Sequence, residues 1–327
     1  MTKKAVALLS GGLDSILAIK LIQLQGIDVR AVNFATPFFE SRAAIKAAKE
    51  LSVDLKLIDI TNDLLRIIKS PKYGHGKNMN PCIDCHGLML RRAGEYMEEI
   101  GASFIITGEV LGERPMSQNK QSLSIVEKLS GYRGRVLRPL SAKLLSETLP
   151  EQEKTVDRER LLAISGRSRK PQMELAKELG IEDYPSPASG CLLTDPGFSH
   201  RLRELLIVNK EPAISDLELL KIGRHFRTEE GAKIVVGRNH KENEKLLEMA
   251  RDSDICLKVK DHPGPITILG QEDKEAIKTA AMLTVRYGSA RDEDKEVMVS
   301  FWKKDDSFKG EIESRSMEMD KVDELMI

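Results

Sequence analysis

The sequence predicts an α/β fold in which a parallel-sheet domain is followed by a smaller α+β domain. In the first half, apolar segments of strand length alternate with segments of helical periodicity, which is typical of βαβ units with helices on both sheet faces. From about Ser215 this pattern changes, and 327 residues exceed one typical domain. We therefore expect one domain over residues 1–210, a second over 215–302 and a charged tail over 303–327 that is mobile or becomes helical on binding.

Each element has a local cause, since apolar runs between turn residues predict strands and apolar residues three and four apart predict helices. In the first domain we expect strands at 5–9, 29–34, 55–59, 104–107 and 136–140, and helices at 16–25, 42–51, 87–100, 122–129, 171–179 and 198–207. In the second we expect strands at 233–236, 255–259, 266–269 and 297–302, and helices at 240–251 and 271–287. Segment 69–80 has no periodicity and is expected to be a loop.

Composition excludes several classes of protein. Apolar residues make up 41% and charged residues 31% of the chain, as in globular proteins with an ample core. Lys plus Arg equals Asp plus Glu, so any nucleic-acid-binding surface must be local. The first residues lead into a strand without an export segment, and no stretch approaches the length of a membrane span. We therefore expect a cytoplasmic protein that does not bind a membrane.

The stretch that organises the first domain is Ser10-Gly11-Gly12-Leu13-Asp14-Ser15, between the first strand and the first helix. A helix that begins just after two glycines directs free N–H groups and its positive dipole end into the loop, which favours an anion such as phosphate. Ser10 and Ser15 add hydroxyl donors, and Asp14 would face a magnesium ion. The lysine of a Walker A loop is absent, so this is a different kind of phosphate loop.

These six residues match the SGGxDS signature of the PP-loop ATP pyrophosphatases, which the chain resembles. The resemblance implies a HUP-like parallel sheet, ATP with Mg²⁺, and cleavage between the α- and β-phosphates to adenylate a substrate. Ligands of such sheets lie beyond the carboxyl ends of the strands, where Asn33 to Thr36 would also lie. We expect the ATP site to comprise Ser10, Gly11, Gly12, Asp14, Ser15, Phe34 and Gly108, with Phe34 near the adenine.

Three further motifs narrow the resemblance. Thr107-Gly108-Glu109, Ser117-Gln118 and Arg138-Pro139-Leu140 recur in this order in 4-thiouridine synthetases that act on transfer RNA. The resemblance covers roughly the first 140 residues and implies thiolation of tRNA. The N-terminal RNA-binding extension and the rhodanese domain of some such synthetases are missing from the sequence, so we expect a different sulfur route.

The cysteines suggest a second reactive site. Cys82 and Cys85 form a CxxC pair, and Cys191 lies far away in a loop rich in Pro, Ser and Gly. The CxxCH pattern also occurs in haem attachment, which accompanies export. Zinc would accept the three thiols together with His86 or His75. A [4Fe–4S] cluster held by three cysteines with one open iron is another candidate, as is a metal-free site where one thiol carries a persulfide.

The resemblance to cluster-dependent tRNA thiolases favours the cluster, with Cys82, Cys85 and Cys191 as its ligands. It also implies that Cys82 and Cys191 are catalytic together with Asp14. The sulfur donor would be sulfide or a persulfide carrier. Cys256 lies within an apolar strand and is expected to be a core residue.

The C-terminal domain resembles the RNA-binding domain of the NFACT family over residues 215–302. The resemblance depends on Val236-Gly237-Arg238-Asn239, Asn243, Asp254-Ile255 and the segment from Lys258 to Gly264. It departs from the family at Cys256-Leu257-Lys258, where an aromatic residue usually precedes a histidine. We expect a local basic face formed by Arg224, His225, Arg227, Arg238, His240, Lys258 and Lys260.

Together these features predict an ATP-dependent tRNA sulfurtransferase that adenylates a uridine base oxygen and replaces it with sulfur. Lys77, Arg138 or Lys143 would stabilise the leaving pyrophosphate. One alternative is a PP-loop enzyme that transfers sulfur or an amide to a small molecule. Another is a protein that binds ATP and RNA without catalysis. The sequence leaves the oligomeric state open.

Overall fold

The structure is a computed structural model that describes residues 3–185, 190–293 and 295–327. The chain divides into two compact units, Met1–Asp195 and Pro196–Ile327. Part of the loop expected around Cys191, residues 186–189, lies outside the described residues. In the described part of the chain, no helix is both long enough and apolar enough to cross a membrane.

The first unit is built on a five-stranded parallel sheet of order β3-β2-β1-β4-β5. This confirms the α/β prediction. Its strands are β1 (Lys4–Leu8), β2 (Asp28–Ala35), β3 (Leu55–Asp59), β4 (Phe104–Ile106) and β5 (Val136–Leu137). Its helices are α1 (Leu13–Gln23), α2 (Arg42–Glu50), α3 (Thr61–Lys69), α4 (Cys82–Glu99), α5 (Lys120–Ser130), α6 (Leu149–Gln152) and α7 (Lys170–Glu178).

The sheet positions the phosphate loop because β1 is its central strand. Ala5, Val6 and Ala7 are fully buried, and most of α1 is buried as well, so the loop between them is fixed at both ends. Gly11 has a φ of +82°, and a Cβ there would lie 2.3 Å from the carbonyl carbon of Ala43 in α2. Only glycine allows the loop to pass this close to the helix backbone.

Two expectations about the middle of the first unit are wrong. We expected α4 to begin at Gly87 with the cysteines in the preceding loop, but the helix begins at Cys82. The carboxylate of Asp84 accepts hydrogen bonds from the backbone N–H groups of Lys72 and Tyr73, at 3.2 and 2.9 Å, which ties the preceding loop to the first turn. The final strand is also shorter than expected, since β5 contains two residues.

The second unit contains a six-stranded sheet of order β11-β10-β8-β9-β7-β6, with antiparallel pairing throughout. This confirms the α+β prediction. Its strands are β6 (Arg224–Arg227), β7 (Lys233–Val236), β8 (Ile255–Val259), β9 (Thr267–Leu269), β10 (Val297–Lys303) and β11 (Lys309–Ser314). Its helices are α8 (Pro196–Val208), α9 (Ile214–Leu219), α10 (His240–Met249), α11 (Lys274–Arg286) and α12 (Met319–Leu325).

Both edges of the second unit differ from the expected division of the chain. Helix α8, which we expected to close the first domain, groups with the second unit. The expectation of a mobile tail over 303–327 is wrong, because this segment contains β11 and α12. Met317 and Val322 are buried in the core against α11. The charged residues that suggested disorder lie on the outer faces of these elements.

We expect Val322→Ala to destabilise the second unit by about 2 kcal/mol, because it removes buried methyl groups from a close-packed core. The only tryptophan, Trp302, lies in β10, so its fluorescence during urea unfolding reports on this unit. Asp323→Ala, on the exposed side of the same helix, is the matched control. Equal unfolding midpoints for the two variants would contradict a packed C-terminal segment.

Candidate active site

The phosphate loop is closed by its own hydrogen bonds. Ser15 donates from Oγ to the carbonyl of Gly12 at 2.8 Å, and the hydroxyls of Ser15 and Ser10 lie 3.2 Å apart. The backbone N–H of Gly12 donates to Ser10 Oγ at 3.2 Å. Gly12 is the N-cap of α1 and has no side chain to cap it, so the first-turn N–H groups face the loop. This arrangement suits an anion.

Gly108 lies against this loop from the end of β4. A Cβ at Gly108 would lie 2.5 Å from the backbone nitrogen of Ser15 and 2.6 Å from the carbonyl carbon of Asp14. Backbone atoms cannot yield to such a clash, so this position requires glycine. Phe34 is only 4% exposed, and its side chain is therefore packed in the core. Any contact of Phe34 with adenine would use its backbone.

Asp14 and Glu113 form an acidic pair beside the loop. Burial raises the pKa of Asp14, while Arg169, Gln172 and Arg114 oppose that rise. Burial also raises the pKa of Glu113, and the negative charge of Asp14 adds to this. Two carboxyl groups that are partly desolvated and close together favour a bound cation between them.

Several buried polar atoms around the loop have no hydrogen-bond partner among the described residues. They are Oδ1 of Asp14, Oδ1 of Asn33 and both amide atoms of Gln172. Gln172 is fully buried, so its amide faces Asp14 without water access and without a hydrogen bond of normal geometry. Asn33 uses its amide nitrogen to bond the carbonyl of Leu9 at 2.9 Å. Unpaired buried groups are costly, and their concentration here fits a site completed by ligand and metal.

A buried ion network joins the end of β4 to the cysteine helix. The carboxylate of Glu109 accepts from Arg138 Nε at 3.0 Å and contacts Nδ1 of His86 at 2.8 Å. Arg138 also donates from Nη1 to Glu127 at 2.5 Å. Glu109 and Arg138 are 7% and 3% exposed. Burial opposes ionisation of Glu109, but Arg138 and His86 overcome it and lower the pKa of this carboxyl to about 2.

The three predicted site cysteines lie in one region of the first unit and are free thiols. Burial raises the pKa of Cys85, and the nearby Cys191 and Cys82 raise it further. Burial also raises the pKa of Cys191. The backbone N–H of Leu193 lowers this pKa by hydrogen bonding, and the charge of Cys82 raises it further. The effects of Cys82 and Cys191 on the pKa of Cys85 agree with three thiols in the same part of the first unit. Cys256, by contrast, is 1% exposed in the second unit, as a core residue should be.

The loop of Cys191 is held against the end of β2. The N–H of Leu192 donates to the carbonyl of Phe38 at 3.0 Å, and Phe38 is fully buried. On the other side, the amide of Asn80 donates to Cys82 Sγ at 3.2 Å. The carboxyl ends of the strands therefore carry both the phosphate loop and the thiols.

The donor atoms can be compared with what a metal needs. In the described part of the chain, no group of three or more His, Cys, Asp or Glu side chains is arranged to hold a metal ion. The two histidines expected as zinc ligands each use one ring nitrogen elsewhere, since His86 contacts Glu109 and His75 Nε2 lies 2.9 Å from the carbonyl of Ile68. Thiolates are the donors that iron–sulfur clusters take, with one thiolate on each ligated iron, so the cluster stays a prediction that depends on the three cysteines.

The structure bears on which cation could stabilise the leaving pyrophosphate. Arg138 is buried and engaged by Glu109 and Glu127, so it is not available to a substrate. Lys143 pairs with Glu159 at 3.2 Å. Lys77 has no ion pair among the described residues, but none of the effects on Asp14 comes from it. The contacts therefore argue against Arg138, while Lys77 and Lys143 stay predictions.

Arg114 and Arg169 are the cations that act on Asp14. Arg114 also lowers the pKa of Cys191, so one guanidinium acts on both the phosphate loop and the cysteine loop. Neither arginine is among the cations expected from the sequence. The available signal was the position of Arg114 between the Thr107-Gly108-Glu109 and Ser117-Gln118 motifs. In the structure, Gln118 Oε1 accepts from the N–H of Arg114 at 3.1 Å and fixes that turn.

The basic face expected on the second unit contains fewer free cations in the structure than the sequence predicted. His225 is 1% exposed, and burial lowers its pKa well below the ordinary value, so its proposed place on a positive surface is wrong. Most other expected members have partners: Arg224 lies over the ring of Tyr287, Arg227 pairs with Glu204, Arg238 with Glu242, His240 with Glu244 and Lys260 with Glu311. Lys258 is exposed on β8.

These features define a PP-loop type of nucleotide-binding unit beside a separate antiparallel α+β unit. Residues 1–144 match the family described as thiamine biosynthesis protein (ThiI). Residues 223–326 match the family described as NFACT protein RNA binding domain. Both resemblances drawn from the sequence are thereby confirmed. The NFACT match also extends through β11 and α12, which agrees with a structured C-terminal segment.

Known proteins that resemble this chain match only part of it. A probable tRNA sulfurtransferase of Lysinibacillus sphaericus (strain C3-41) is 31% identical over 158 residues, 46% of this chain. The chain spans 38% of the length of that protein. A 4-thiouridine synthetase, solved with RNA and bound ATP, is 24% identical with a TM-score of 0.39. That match covers 67% of this chain and 52% of the synthetase chain. An NMN synthetase from Francisella tularensis is 14% identical with a TM-score of 0.29. That match covers 57% of this chain and 90% of the synthetase chain.

We expect Gly108→Ala to weaken ATP binding and to slow nucleotide cleavage by about a hundredfold, because its Cβ would displace the backbone of Ser15 and Asp14. Isothermal titration with ATP measures the binding. Gly270→Ala is the matched control, since its nearest neighbours are 3.8 Å or more from a new Cβ. Wild-type affinity in Gly108→Ala would show that nucleotide does not use this loop.

We expect Glu109→Gln to destabilise the first unit by about 3 kcal/mol at neutral pH, because it leaves the buried Arg138 with one carboxylate fewer. The depressed pKa of Glu109 stabilises the fold fully above pH of about 4.5, and this contribution is lost as pH falls towards 2. The difference between variant and wild type should shrink over that window. Urea unfolding followed by circular dichroism, with Trp302 fluorescence reporting on the second unit, measures it.

Glu127→Gln is the control for this prediction, because Glu127 contacts the same arginine and its side chain is more exposed, at 18% against 8%. We expect a smaller loss of stability for that variant. An equal loss in both, or a Glu109→Gln difference that does not change with pH, would contradict the central position of Glu109.

Proposed function

We propose that this protein is an ATP-dependent tRNA sulfurtransferase that adenylates a uridine base oxygen and replaces it with sulfur. The observation that carries the proposal is the junction at the end of β4, where Gly108 lies against the phosphate loop and Glu109 contacts His86, one residue beyond Cys85. An activating site and a thiol site that are joined in this way suit two consecutive steps on one bound base. The ThiI match supports the same chemistry.

In the first step, the loop from Ser10 to Ser15 holds the phosphates of ATP with its N–H groups and hydroxyls. Asp14 and Glu113 would bind Mg²⁺, and the unpaired oxygen of Asp14 supports that assignment. The base oxygen forms a bond to the α-phosphorus, and the bond from that phosphorus to the bridging oxygen breaks to release pyrophosphate. Arg114 and Arg169 stabilise the charge that develops on the leaving group.

In the second step, sulfur replaces the activated oxygen, which departs with AMP. Cys82, Cys85 and Cys191 would hold the [4Fe–4S] cluster, which supplies an open iron where hydrosulfide can bind. The alternative within the same function is a metal-free site in which Cys82 or Cys191 carries a persulfide delivered by a carrier. The outer sulfur displaces AMP, and a second thiol of the site then attacks the resulting disulfide and releases the thionucleoside, so that the two cysteines end as a disulfide. Zinc is a third possibility, and iron, sulfide and zinc analysis of anaerobically purified protein separates the three.

The second unit is assigned to the RNA partner. Its NFACT match describes an RNA-binding domain, and a target base must leave the RNA stack to reach a pocket of this kind. The competing proposal is transfer of sulfur or an amide to a small molecule. Retained turnover on free nucleoside by a chain truncated after Asp195 would favour it. A protein that binds ATP and RNA without catalysis would release no pyrophosphate with tRNA and sulfide.

We expect Cys191→Ala to abolish thionucleoside formation in tRNA while leaving tRNA-dependent pyrophosphate release within about threefold of wild type, because the thiols act after activation. Cys82→Ala should behave alike. Thionucleosides are measured by mass spectrometry of digested tRNA, and Cys256→Ala is the control cysteine outside the site. Unchanged thionucleoside levels in both site variants would sink the proposed function.

We expect Arg114→Gln to slow pyrophosphate release by about a hundredfold, because the variant keeps the side-chain length but loses the charge that stabilises the leaving group. Lys77→Gln is the control, since it removes a cation that does not act on Asp14. A larger effect of Lys77→Gln than of Arg114→Gln would contradict this assignment.

A further inference from the structure

The loop that precedes α4 presents a side-chain amide to one of the site sulfurs. Asn80 is 8% exposed and donates from Nδ2 to Cys82 Sγ at 3.2 Å. Its Oδ1 accepts from the N–H of Asn78 at 3.2 Å, and its carbonyl accepts from the N–H of Gly76 at 2.9 Å. A Cβ at Gly76 would lie 2.3 Å from the Asn80 amide nitrogen. The amide is therefore held in one orientation, towards Cys82.

Asn78 reaches the other cysteine segment. Its Nδ2 donates to the carbonyl of Thr194 at 2.6 Å, and Thr194 Oγ1 donates in turn to the carbonyl of Cys191 at 2.7 Å. The segment Leu192–Thr194 forms a single 3-10 turn capped by Cys191. Two asparagines that are two residues apart thus contact the sulfur of Cys82 and the turn that carries Cys191.

The loop itself is anchored to the rest of the first unit. Asp84, in the first turn of α4, accepts from the N–H groups of Lys72 and Tyr73 at 3.2 and 2.9 Å. His75 Nε2 lies 2.9 Å from the carbonyl of Ile68, near the end of α3. Because the loop is anchored at these points, both asparagines are held in defined positions.

We propose that Asn78 and Asn80 form an asparagine bracket, a pair of positioning residues that sets the geometry of Cys82 relative to Cys191. The inference rests on the proposed function, since the bracket serves the thiol site of that reaction. Side chains that hydrogen-bond metal ligands orient them and contribute to metal affinity. Hydrogen bonds to sulfur also change the electronic state of a bound metal. A cluster, a zinc ion and a persulfide with its resolving thiol differ in the spacing they need, but each needs Cys82 held in a defined position relative to the other thiols.

Cadmium binding to the reduced, metal-free full-length protein tests the bracket without tRNA, ATP or a sulfur donor. Cd²⁺ prefers thiolates, and its sulfur-to-metal absorption increases with the number of thiolates bound. In wild type we expect all three cysteines to bind, so Cys191→Ser should remove about one third of the absorption. Competition with a chelator gives the affinity.

We expect Asn78→Ala to lower the absorption towards that of Cys191→Ser, because this residue secures only the Cys191 turn. Asn80→Ala should change the band position, because it removes the hydrogen bond to sulfur. Each variant should lose about ten- to a hundredfold in Cd²⁺ affinity. A purely structural effect would lower the melting temperature without changing the band of the folded protein.

Gln25→Ala is the matched control, because Gln25 also uses its amide to join two segments of the first unit. It accepts from the N–H of Asp157 at 2.8 Å and donates to the carbonyl of the same residue at 3.2 Å. We expect this control to bind Cd²⁺ as wild type does.

Wild-type affinity and absorption in both asparagine variants would overturn the proposal. An unchanged band in Cys191→Ser would overturn it as well, since the bracket would then have no common site to organise. These outcomes are independent of the thionucleoside assay. Loss of cadmium binding in the asparagine variants, beside a wild type that makes no thionucleoside, would support the bracket and contradict the proposed function.

Discussion

The buried carboxylate of Glu109 connects the two halves of the candidate active site. It follows Gly108, whose backbone lies against the phosphate loop, and it bonds His86, one residue beyond Cys85 on the cysteine helix. Arg138 neutralises it from the neighbouring strand. A charge this deeply buried tolerates little displacement, because moving either partner would leave the other unpaired. The spacing between the phosphate loop and the cysteine helix is therefore set by one ion network.

Around this rigid connection, the site is left electrostatically incomplete. Asp14 and Glu113 are desolvated beside each other, while the amide of Gln172 and one oxygen of Asn33 have no partners in the described part of the chain. Such groups cost stability in an empty protein and gain partners when a ligand arrives. The same logic applies at the thiols, where amide and backbone N–H groups already point at sulfur. The ion network that stabilises the fold and the unpaired groups that would bind a ligand are thus different residues at different places.

Features with a local cause could be predicted from the sequence. The loop from Ser10 to Ser15, the alternating strands and the CxxC pair depend on short patterns that survive without tertiary information. The start of α4 could not be predicted, because it depends on Asp84 accepting hydrogen bonds from two loop residues that lie 12 and 11 positions earlier in the chain. Arg114 was missed since its importance comes from two segments that only the fold brings together. The structured C-terminal segment was missed because its few apolar residues pack on a distant helix.

The central claim is that the loop activates a base oxygen which the thiol site then replaces. Transcribed tRNA whose uridines carry ¹⁸O at both carbonyl positions tests it directly, with ATP, a sulfur donor and the wild-type protein under anaerobic conditions. Mass spectrometry of the nucleotide products follows the label. The account predicts one ¹⁸O in AMP for each thionucleoside formed. Thionucleoside accompanied by unlabelled AMP, or by ADP and phosphate, would contradict it.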